Sequence, residues 1–393
     1  MAEGQHSPGF AGQPGSDATF PLAHAGEREE RSSAATRKSL RIALIGPPLR
    51  VLFGGQEVQA SDLVAYWRGD PAADVDFVSS RPELPLVLGI IEKLPYVRTI
   101  ARVPLYLRRL CQTAHKVDAL HVFAGSFSSF LVATAPAFLV GKIFNRRVLI
   151  HYHSGRAEDH LRRSAAARLV LSGCDLVVVP SAFLANVFQE HHIHAAIVPN
   201  VVDPARFEYR SHEPLRPRLL CTRNFQPHYG VEIVVLAFAR IQKEFPDATL
   251  CLVGKGPSET TLRRMVGELN LRNVDFKGAT SPDKMPSVYE QNDIFVSGSY
   301  VDCSPVSILE AFCCGLPVVT AAAGGIPHLV DHERTGLLSA PGDANALASN
   351  VARILHEQAF AQELARRARQ MAEFHSWSAL RDSWLQTYRS LCE

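Results

Sequence analysis

The stretch from Asp302 to Glu310 reads Asp-Cys-Ser-Pro-Val-Ser-Ile-Leu-Glu and places a carboxylate at each end of a helix start. Ser304 suits an N-cap and Pro305 the first helical position. The N–H groups of Val306 and Ser307 then lack intrahelical acceptors at the positive end of a helix dipole. Such an end is built to hold a diphosphate. Glu310 lies one turn further down, among Ile308, Leu309, Ala311 and Phe312. A carboxylate on an apolar helix needs a partner. That partner is either a buried cation or a hydroxyl-rich ligand such as a ribose, and the loop before it favours the ligand.

Other chemistry-bearing residues fall at the ends of strand-like runs. Arg223 follows one, where a guanidinium suits bidentate phosphate contact. Gly54-Gly55 precedes a helical segment, so backbone N–H groups can approach a ligand closely. Gly254-Lys255-Gly256 starts like a dinucleotide fingerprint, but Glu259 stands where the third glycine is needed. A phosphate- or base-contacting turn fits better than a nicotinamide site. In His151-Tyr152-His153, the two histidines share a strand face without a clustered acid or cysteine to complete a metal set. We read His151 as a core histidine and His153, at the strand's carboxyl end, as functional. Gly324-Gly325-Ile326-Pro327 offers a second glycine turn, with Pro327 positioned to start a helix. The sole Asp-x-Asp, Asp74 to Asp76, falls at a strand start and reads as structural, so no essential metal is expected.

Composition narrows the class. The chain has 393 residues, 47% of them hydrophobic, and a formal net charge of +2. It can build large cores without staples, and it shows no basic excess for wrapping nucleic acid. The eight cysteines include no Cys-x-x-Cys pair, and no apolar signal segment precedes the fold. A reducing, cytoplasmic location follows. Residues 1–39 contain neither Ile nor Val and read as a disordered tail. Ala119 to Phe144 is apolar but interrupted by His121, Pro136 and Lys142, which suits a strand and buried helix rather than a membrane span. The segment Glu92–Lys116 mixes Lys93, Arg98, Arg102, Arg108, Arg109 and Lys116 with apolar residues. A solvated helix face is the simpler reading, and peripheral contact with an anionic membrane is the alternative.

What must position these residues is an alternation of strands and helices. Strands are expected at Leu40–Gly46, Asp74–Ser79, Val117–Phe123, Arg147–Tyr152, Asp175–Pro180 and Ala195–Pro199. Intervening helices are Gln56–Arg68, Val97–His115, Phe127–Ile143, Asp159–Ser172 and Ala182–His191. Pro204, Pro214 and Pro217 then mark a linker. The pattern restarts with strands Arg218–Thr222, Thr249–Val253, Val274–Lys277, Asp293–Ser297, Leu316–Thr320 and Gly336–Leu338. Its helices are Val231–Glu244, Ser258–Leu269, Pro282–Gln291, Pro305–Cys314 and Ala344–Gln358, followed by 359–373 and 377–391. The fold class is α/β, with two doubly wound parallel sheets facing a central cleft. We divide the chain into the tail 1–39, a first Rossmann-like domain 40–203, a second 204–375 and a C-terminal helix 376–393.

The segment Glu310-Ala311-Phe312-Cys313-Cys314-Gly315-Leu316-Pro317-Val318-Val319, preceded by Asp302, resembles the acid-x7-acid signature of family 4 retaining glycosyltransferases of the GT-B fold. Val198-Pro199-Asn200-Val201-Val202-Asp203 resembles that family's Pro-Asn-Gly-Val-Asp turn. The region Trp377 to Tyr388 resembles its helix that crosses back onto the first domain. The resemblance runs from about Leu40 to the C-terminus and implies that domain 40–203 holds the acceptor and domain 204–375 the nucleotide-sugar donor. It implies a transferase moving a sugar from a UDP- or GDP-linked donor to a glycan, polysaccharide-precursor or lipid-linked acceptor. It further implies that Glu310 binds the ribose, Asp302 the donor-sugar hydroxyls and Arg223 the diphosphate. His153 would lie beside the reacting sugar and Gly55 against donor phosphate or sugar. Two departures stand out: the first acid is Asp302 rather than Glu, and Tyr229 replaces the usual phosphate lysine, with His228 out of register. The alternatives are a nucleotide-sugar epimerase of the same fold and a non-catalytic nucleotide- or glycan-binding member.

Overall fold

The computed structural model describes residues 39–49, 54–84 and 94–393. Apart from Ser39, the tail expected over 1–39 lies outside these residues, as does Lys93 of the basic segment. The first sheet contains β1 (Leu40–Gly46), β2 (Ala73–Ser79), β3 (Ala119–Ala124), β4 (Arg147–Tyr152), β5 (Leu176–Val179) and β6 (Ala195–Ile197). All neighbours are parallel, in the order β2-β1-β3-β4-β5-β6. The second contains β7 (Arg218–Cys221), β8 (Thr249–Val253), β9 (Val274–Gly278), β10 (Ile294–Ser297), β11 (Val318–Ala321) and β12 (Leu337–Ser339). It too is parallel, in the order β12-β11-β10-β7-β8-β9. Two six-stranded parallel sheets wound in opposite directions from a central strand constitute the two-domain Rossmann-like GT-B architecture.

Both faces of each sheet are covered, and the sequence shows why. In β5, Val177 and Val179 enter one apolar cluster while Val178 enters another on the opposite face. Period-2 alternation puts every residue of such a strand into a core, which demands a continuous apolar run. The covering helices are α1 (Gly55–Trp67), α2 (Pro95–Ala114), α3 (Ala135–Ile143), α4 (Ala157–Arg163), α5 (Ala165–Gly173), α6 (Ala182–Glu190), α7 (Val231–Glu244), α8 (Glu259–Glu268), α9 (Met285–Glu290), α10 (Val306–Cys314), α11 (Ala344–His356), α12 (Gln358–Glu373) and α13 (Trp377–Cys392).

Three expected helices differ from those observed. The expected Phe127–Ile143 helix opens with a wide π turn, Phe130–Thr134, before α3 begins. Pro136 supplies no N–H and its ring would clash with a carbonyl one turn back, so the helix widens there. The expected Asp159–Ser172 helix breaks at Ser164, whose Oγ accepts from the Ala167 N–H at 3.1 Å and starts α5 as its N-cap. Pro282–Lys284 forms a 3-10 turn ahead of α9.

The two sheets are joined at residues 199–203 and again before α13. Gln59 on α1 clasps Val201, donating from Nε2 to the Val201 carbonyl at 2.6 Å and accepting its N–H at 2.8 Å. Asn200 Nδ2 donates to the Ser304 carbonyl at 2.8 Å. His375 Nδ1 meets the Asn200 carbonyl at 2.9 Å. Helix α13 then packs on the first sheet, burying Trp384 and Tyr388 beside Ile42, Leu44 and Leu149. Arg381 fixes it there with bonds of 2.6 and 2.9 Å to Asp70.

Candidate active site

Ligands of doubly wound sheets bind outside the strand carboxyl ends, where the strand order reverses. In the second sheet that point lies between β7 and β10. The loops leaving these two strands carry Arg223 and Asp302, so topology brings together two residues far apart in sequence. In the first sheet the reversal lies between β1 and β3, and the segment after β1 leads to Gly54 and Gly55.

A cavity of about 160 Å³ opens at this edge. Gly54, Gly55, Arg223, Tyr229, Gly254, Val306, Ser307 and Glu310 all line it. A Cβ on Gly55 would sit 3.8 Å from Val306 Cγ2, so the α1 start faces the α10 start. Sequence reasoning placed Ser304 at the N-cap of α10. The helix instead begins at Val306 with Pro305 as its extended N-cap. Pro305, lacking an N–H and with φ fixed, fits that junction, and Ser304 is left to accept the Asn200 bond. Ser304 is not among the residues lining either cavity described here. The first intrahelical bond of α10 runs from the Ile308 N–H to the Pro305 carbonyl at 3.1 Å. The Ser307 Oγ is buried without a hydrogen-bond partner. A buried orphan hydroxyl beside the N–H groups of a helix start suits an acceptor-rich ligand.

Glu310 stands deeper in the same cavity. Its Oε2 accepts from Tyr289 Oη at 2.7 Å. Desolvation raises its pKa to about 7, against the favourable pull of Tyr289, Arg206 and Arg223. Neighbouring Asp62 is likewise lifted to about 6, mainly by burial. It faces Arg206 at 3.8 Å. A carboxyl poised near neutrality in a cavity is suited to accepting hydroxyl hydrogens from a bound sugar.

Arg223 forms an ion pair with Asp302. Its guanidinium also lies 4.8 Å from the centre of the Tyr229 ring. Arg223 is the one cation among the described residues lining this cavity. Tyr229 therefore supplies a cation–π seat for Arg223 at the position where a lysine charge was expected. The loop holding Tyr229 depends on Gly230, whose φ is +55° and whose added Cβ would lie 2.0 Å from the Gly298 carbonyl oxygen.

The glycines of the β8 loop divide. Gly254 lines the cavity, and its Cβ would lie 2.2 Å from the Arg223 carbonyl oxygen. Gly256 lines neither cavity and packs instead against Phe225, where a Cβ would lie 2.4 Å from the carbonyl oxygen. Gly324 and Gly325 press on the Asp302–Cys303 backbone, and the Gly325 N–H donates to the Asp302 carbonyl at 2.8 Å. They buttress the acid's loop, and Pro327 opens only a 3-10 turn, Ile326–His328. Asp74 and Asp76 stay outside both cavities.

His153 and Asp302 line a second cavity of about 80 Å³ that shares Tyr229 as a wall with the first. Burial pushes the His153 imidazole down to about 3, so it is neutral at physiological pH. Its ring lies 4.0 Å from His151. His151 Nδ1 meets His121 Nε2 at 3.2 Å, and His121 Nδ1 meets the Tyr388 hydroxyl at 2.8 Å. His151 is thus part of a buried polar row in the first core. Besides Val58 and Val253, sequence reading missed Thr222, Asn224, Ala279, Thr280, Pro282 and Met285, which complete the main cavity. Their common signal is position just past the ends of β7 and β9.

Among the described residues no group of three or more His, Cys, Asp or Glu could hold a metal ion. Nor is any described helix long and apolar enough to cross a membrane. All eight cysteines are free.

The profile described as "Glycosyl transferases group 1" matches residues 206–371 and that of "Glycosyltransferase Family 4" matches 53–206. The two adjoin and the chain belongs to the family 4, group 1 glycosyltransferases. It is 29% identical over 153 residues to the sulfoquinovosyl transferase of Arabidopsis thaliana, covering 38% of this chain and 29% of that one. It is 28% identical over 211 residues to a GDP-mannose-dependent phosphatidylinositol monomannoside mannosyltransferase of Mycobacterium tuberculosis, covering 48% and 54%. The chain therefore matches about half or less of the length of these relatives. The crystal structure of Anabaena HepE with UDP and glucose aligns with a TM-score of 0.71 at 20% identity, covering 89% of this chain and all of that one.

Proposed function

We propose that the protein is a retaining glycosyltransferase that takes a sugar from a UDP- or GDP-linked donor to a glycan, polysaccharide-precursor or lipid-linked acceptor. One observation carries this reading. Within a single cavity the α10 start, with its orphan Ser307 hydroxyl, faces Arg223, and Glu310 lies one turn deeper. Diphosphate and ribose are separated by about that spacing in a nucleoside diphosphate. The UDP of the Anabaena neighbour and the GDP-mannose in the mycobacterial relative's name support the donor class.

Glu310 accepts from the ribose hydroxyls, and the Val306 and Ser307 N–H groups hold the diphosphate. Arg223 balances charge on the departing phosphate as the sugar–oxygen bond breaks. The acceptor hydroxyl attacks from the same face and passes its proton to the leaving phosphate oxygen, while His153 and Asp302 position the sugar. Approach of the two sheets excludes water, so transfer outpaces hydrolysis. With charge stabilised by Arg223 and the α10 start, this reading assigns no role to a metal ion. The test is a panel of nucleotide-sugars screened by thermal shift, since binding to the folded state raises the midpoint. Turnover of the selected donor is then measured with and without EDTA. A midpoint rise of several degrees and equal turnover in both buffers are expected. A donor converted without acceptor would instead identify an epimerase, and a nucleotide bound without any turnover a binding protein.

The lipid-linked acceptor gains support from one face of the first sheet. Ile100 on α2 is 72% exposed and Ile143 on α3 is 76% exposed, with Leu94, Val97 and Leu139 also exposed. Arg98, Arg102, Arg108 and Arg109 share α2, and Arg109 reaches Asp76 at 3.5 Å. Apolar tips among arginines fit the anionic inner face of a cell membrane. Sedimentation with vesicles containing 30% phosphatidylglycerol is expected to carry the wild-type chain down. Ile100→Asp combined with Ile143→Asp is expected to leave it in the supernatant, as are neutral vesicles.

A further inference from the structure

The second cavity has a feature that neutral sugar chemistry leaves unused. His153, Ser154 and Asp302 offer the mixture of donors and acceptors that hydroxyls require. Arg156 and His228 face the same space from opposite sheets. With the nucleotide seated as proposed above, the group beyond the diphosphate passes Tyr229 and enters this cavity, so the inference rests on that reading.

The positive charge here is in surplus. Arg156 pairs with Asp159 at 3.1 Å, but Asp159 also serves Arg162 at 3.4 Å and Arg163 at 2.5 Å. One carboxylate cannot neutralise three guanidiniums. Arg223, which lines the adjoining first cavity, is already balanced by Asp302. His228 is held below its ordinary pKa by burial first and then by Arg156 and Arg223, so both guanidinium fields reach it.

Arg156 is also held in place. Its guanidinium lies 4.5 Å from the centre of the Phe127 ring. Phe127 has φ +55°, a left-handed conformation that a bulky residue adopts only when its surroundings impose it. His160 packs 5.0 Å away on the same ring. The Ser154 hydroxyl ties the two loops together, donating to Ser126 Oγ at 3.1 Å and accepting the Arg156 N–H at 3.3 Å. An oriented arginine with surplus charge, at the mouth of a cavity, is a reader of anions.

We propose that the sugar handled in this cavity carries an anionic substituent, of the carboxylate, sulfonate or phosphate class, read by Arg156 with His228 opposite. The anion sits either on the transferred sugar or on the acceptor, and the two sources are separable. Titration calorimetry on the full chain compares UDP-glucuronate with UDP-glucose. A second arm, with UDP saturating, compares methyl glucuronide and glucose 6-phosphate with methyl glucoside. Should the screen select guanine nucleotides, GDP-linked mannuronate and mannose replace the first pair. In one arm the acidic ligand is expected to bind at least tenfold more tightly than the neutral one. Arg156→Gln abolishes that preference and Arg156→Lys keeps part of it, with UDP affinity reporting that each variant is folded. Preference in the first arm assigns the anion to the donor, and in the second to the acceptor. Normal UDP binding without acidic preference in either arm overturns this inference alone, as does a preference that survives Arg156→Gln. Failure of the wild-type chain to bind UDP or GDP overturns the nucleotide reading and this inference together.

Discussion

Glu310→Gln is expected to lower kcat/KM for the nucleotide-sugar about 100-fold, because it replaces a charged acceptor of two ribose hydroxyls with a neutral one. Hydrogen bonds to charged groups contribute roughly 1.5–3 kcal/mol each, so the loss of about 2.7 kcal/mol corresponds to weakening the pair rather than deleting it. The carboxyl's raised pKa makes the prediction sharper. With a value of about 7, it is mostly protonated at pH 6 and mostly ionised at pH 8. Donor affinity should therefore rise about tenfold over that interval. The phosphodiester of a nucleotide-sugar does not titrate there, and neither does His153, at about 3. The unliganded protein should show the opposite slope. The folded pKa exceeds the unfolded value of 4.5, so the folded state binds more protons across about pH 4.5–7. The stability contributed by protonation is complete below that window and is lost as pH rises through it. Asp62, raised to about 6, adds in the same direction. Calorimetric Kd values at pH 6, 7 and 8 for wild type and Glu310→Gln check this. An unchanged affinity in the variant, or a flat wild-type profile, would remove Glu310 from the ribose site.

Arg223→Ala carries the second large effect. Losing the one cation among the described residues that line the main cavity is expected to lower kcat by about 10²–10³-fold, the range seen when a single charge-stabilising donor is deleted. The ion pair with Asp302 complicates the reading. The two side chains are 11% and 8% exposed, and removing one partner of a buried pair leaves an uncompensated charge that costs about 3–5 kcal/mol. A lower Tm in Arg223→Ala would thus mix folding with catalysis. The double variant Arg223→Met, Asp302→Asn removes both charges. It should recover most of the Tm while kcat stays low. Recovery of kcat together with Tm would mean that Arg223 acts only as a structural partner. Arg223→Lys is expected to fall between, since a single ammonium cannot bridge two phosphate oxygens as a guanidinium does.

Much of the architecture was legible from composition and period. Fully buried parallel strands must be continuous apolar runs, and Leu176 to Val179 is one because both its faces meet a core. The helix starting beyond Ser304-Pro305, with Glu310 on its second turn, was legible for the same local reason. Its exact first residue was not, because the Ser304 carbonyl accepts from Asn200 of the first domain and Pro305 takes the cap position. Local sequence cannot foresee a bond across more than a hundred residues. The break at Ser164 had a local signal, a serine able to cap, but the helical period on either side concealed it.

The amino-acid sequence by itself determined the α/β class, the strand and helix alternation, the glycine turns and the identity of the charged residues at strand ends. These follow from propensity, period and capping, all of which act over a few residues. The tertiary structure alone decided which strand ends are neighbours. The order β12-β11-β10-β7-β8-β9 sets Arg223 beside Asp302, and the return of α13 buries Tyr388 against His121. It also decided that Gly254 lines the cavity while Gly256, two residues away, packs on Phe225. It lifted the Glu310 pKa to about 7 and set Asp159 among Arg156, Arg162 and Arg163. Burial and electrostatic fields sum over groups distant in sequence, so charge state and site membership emerge only when the chain is folded.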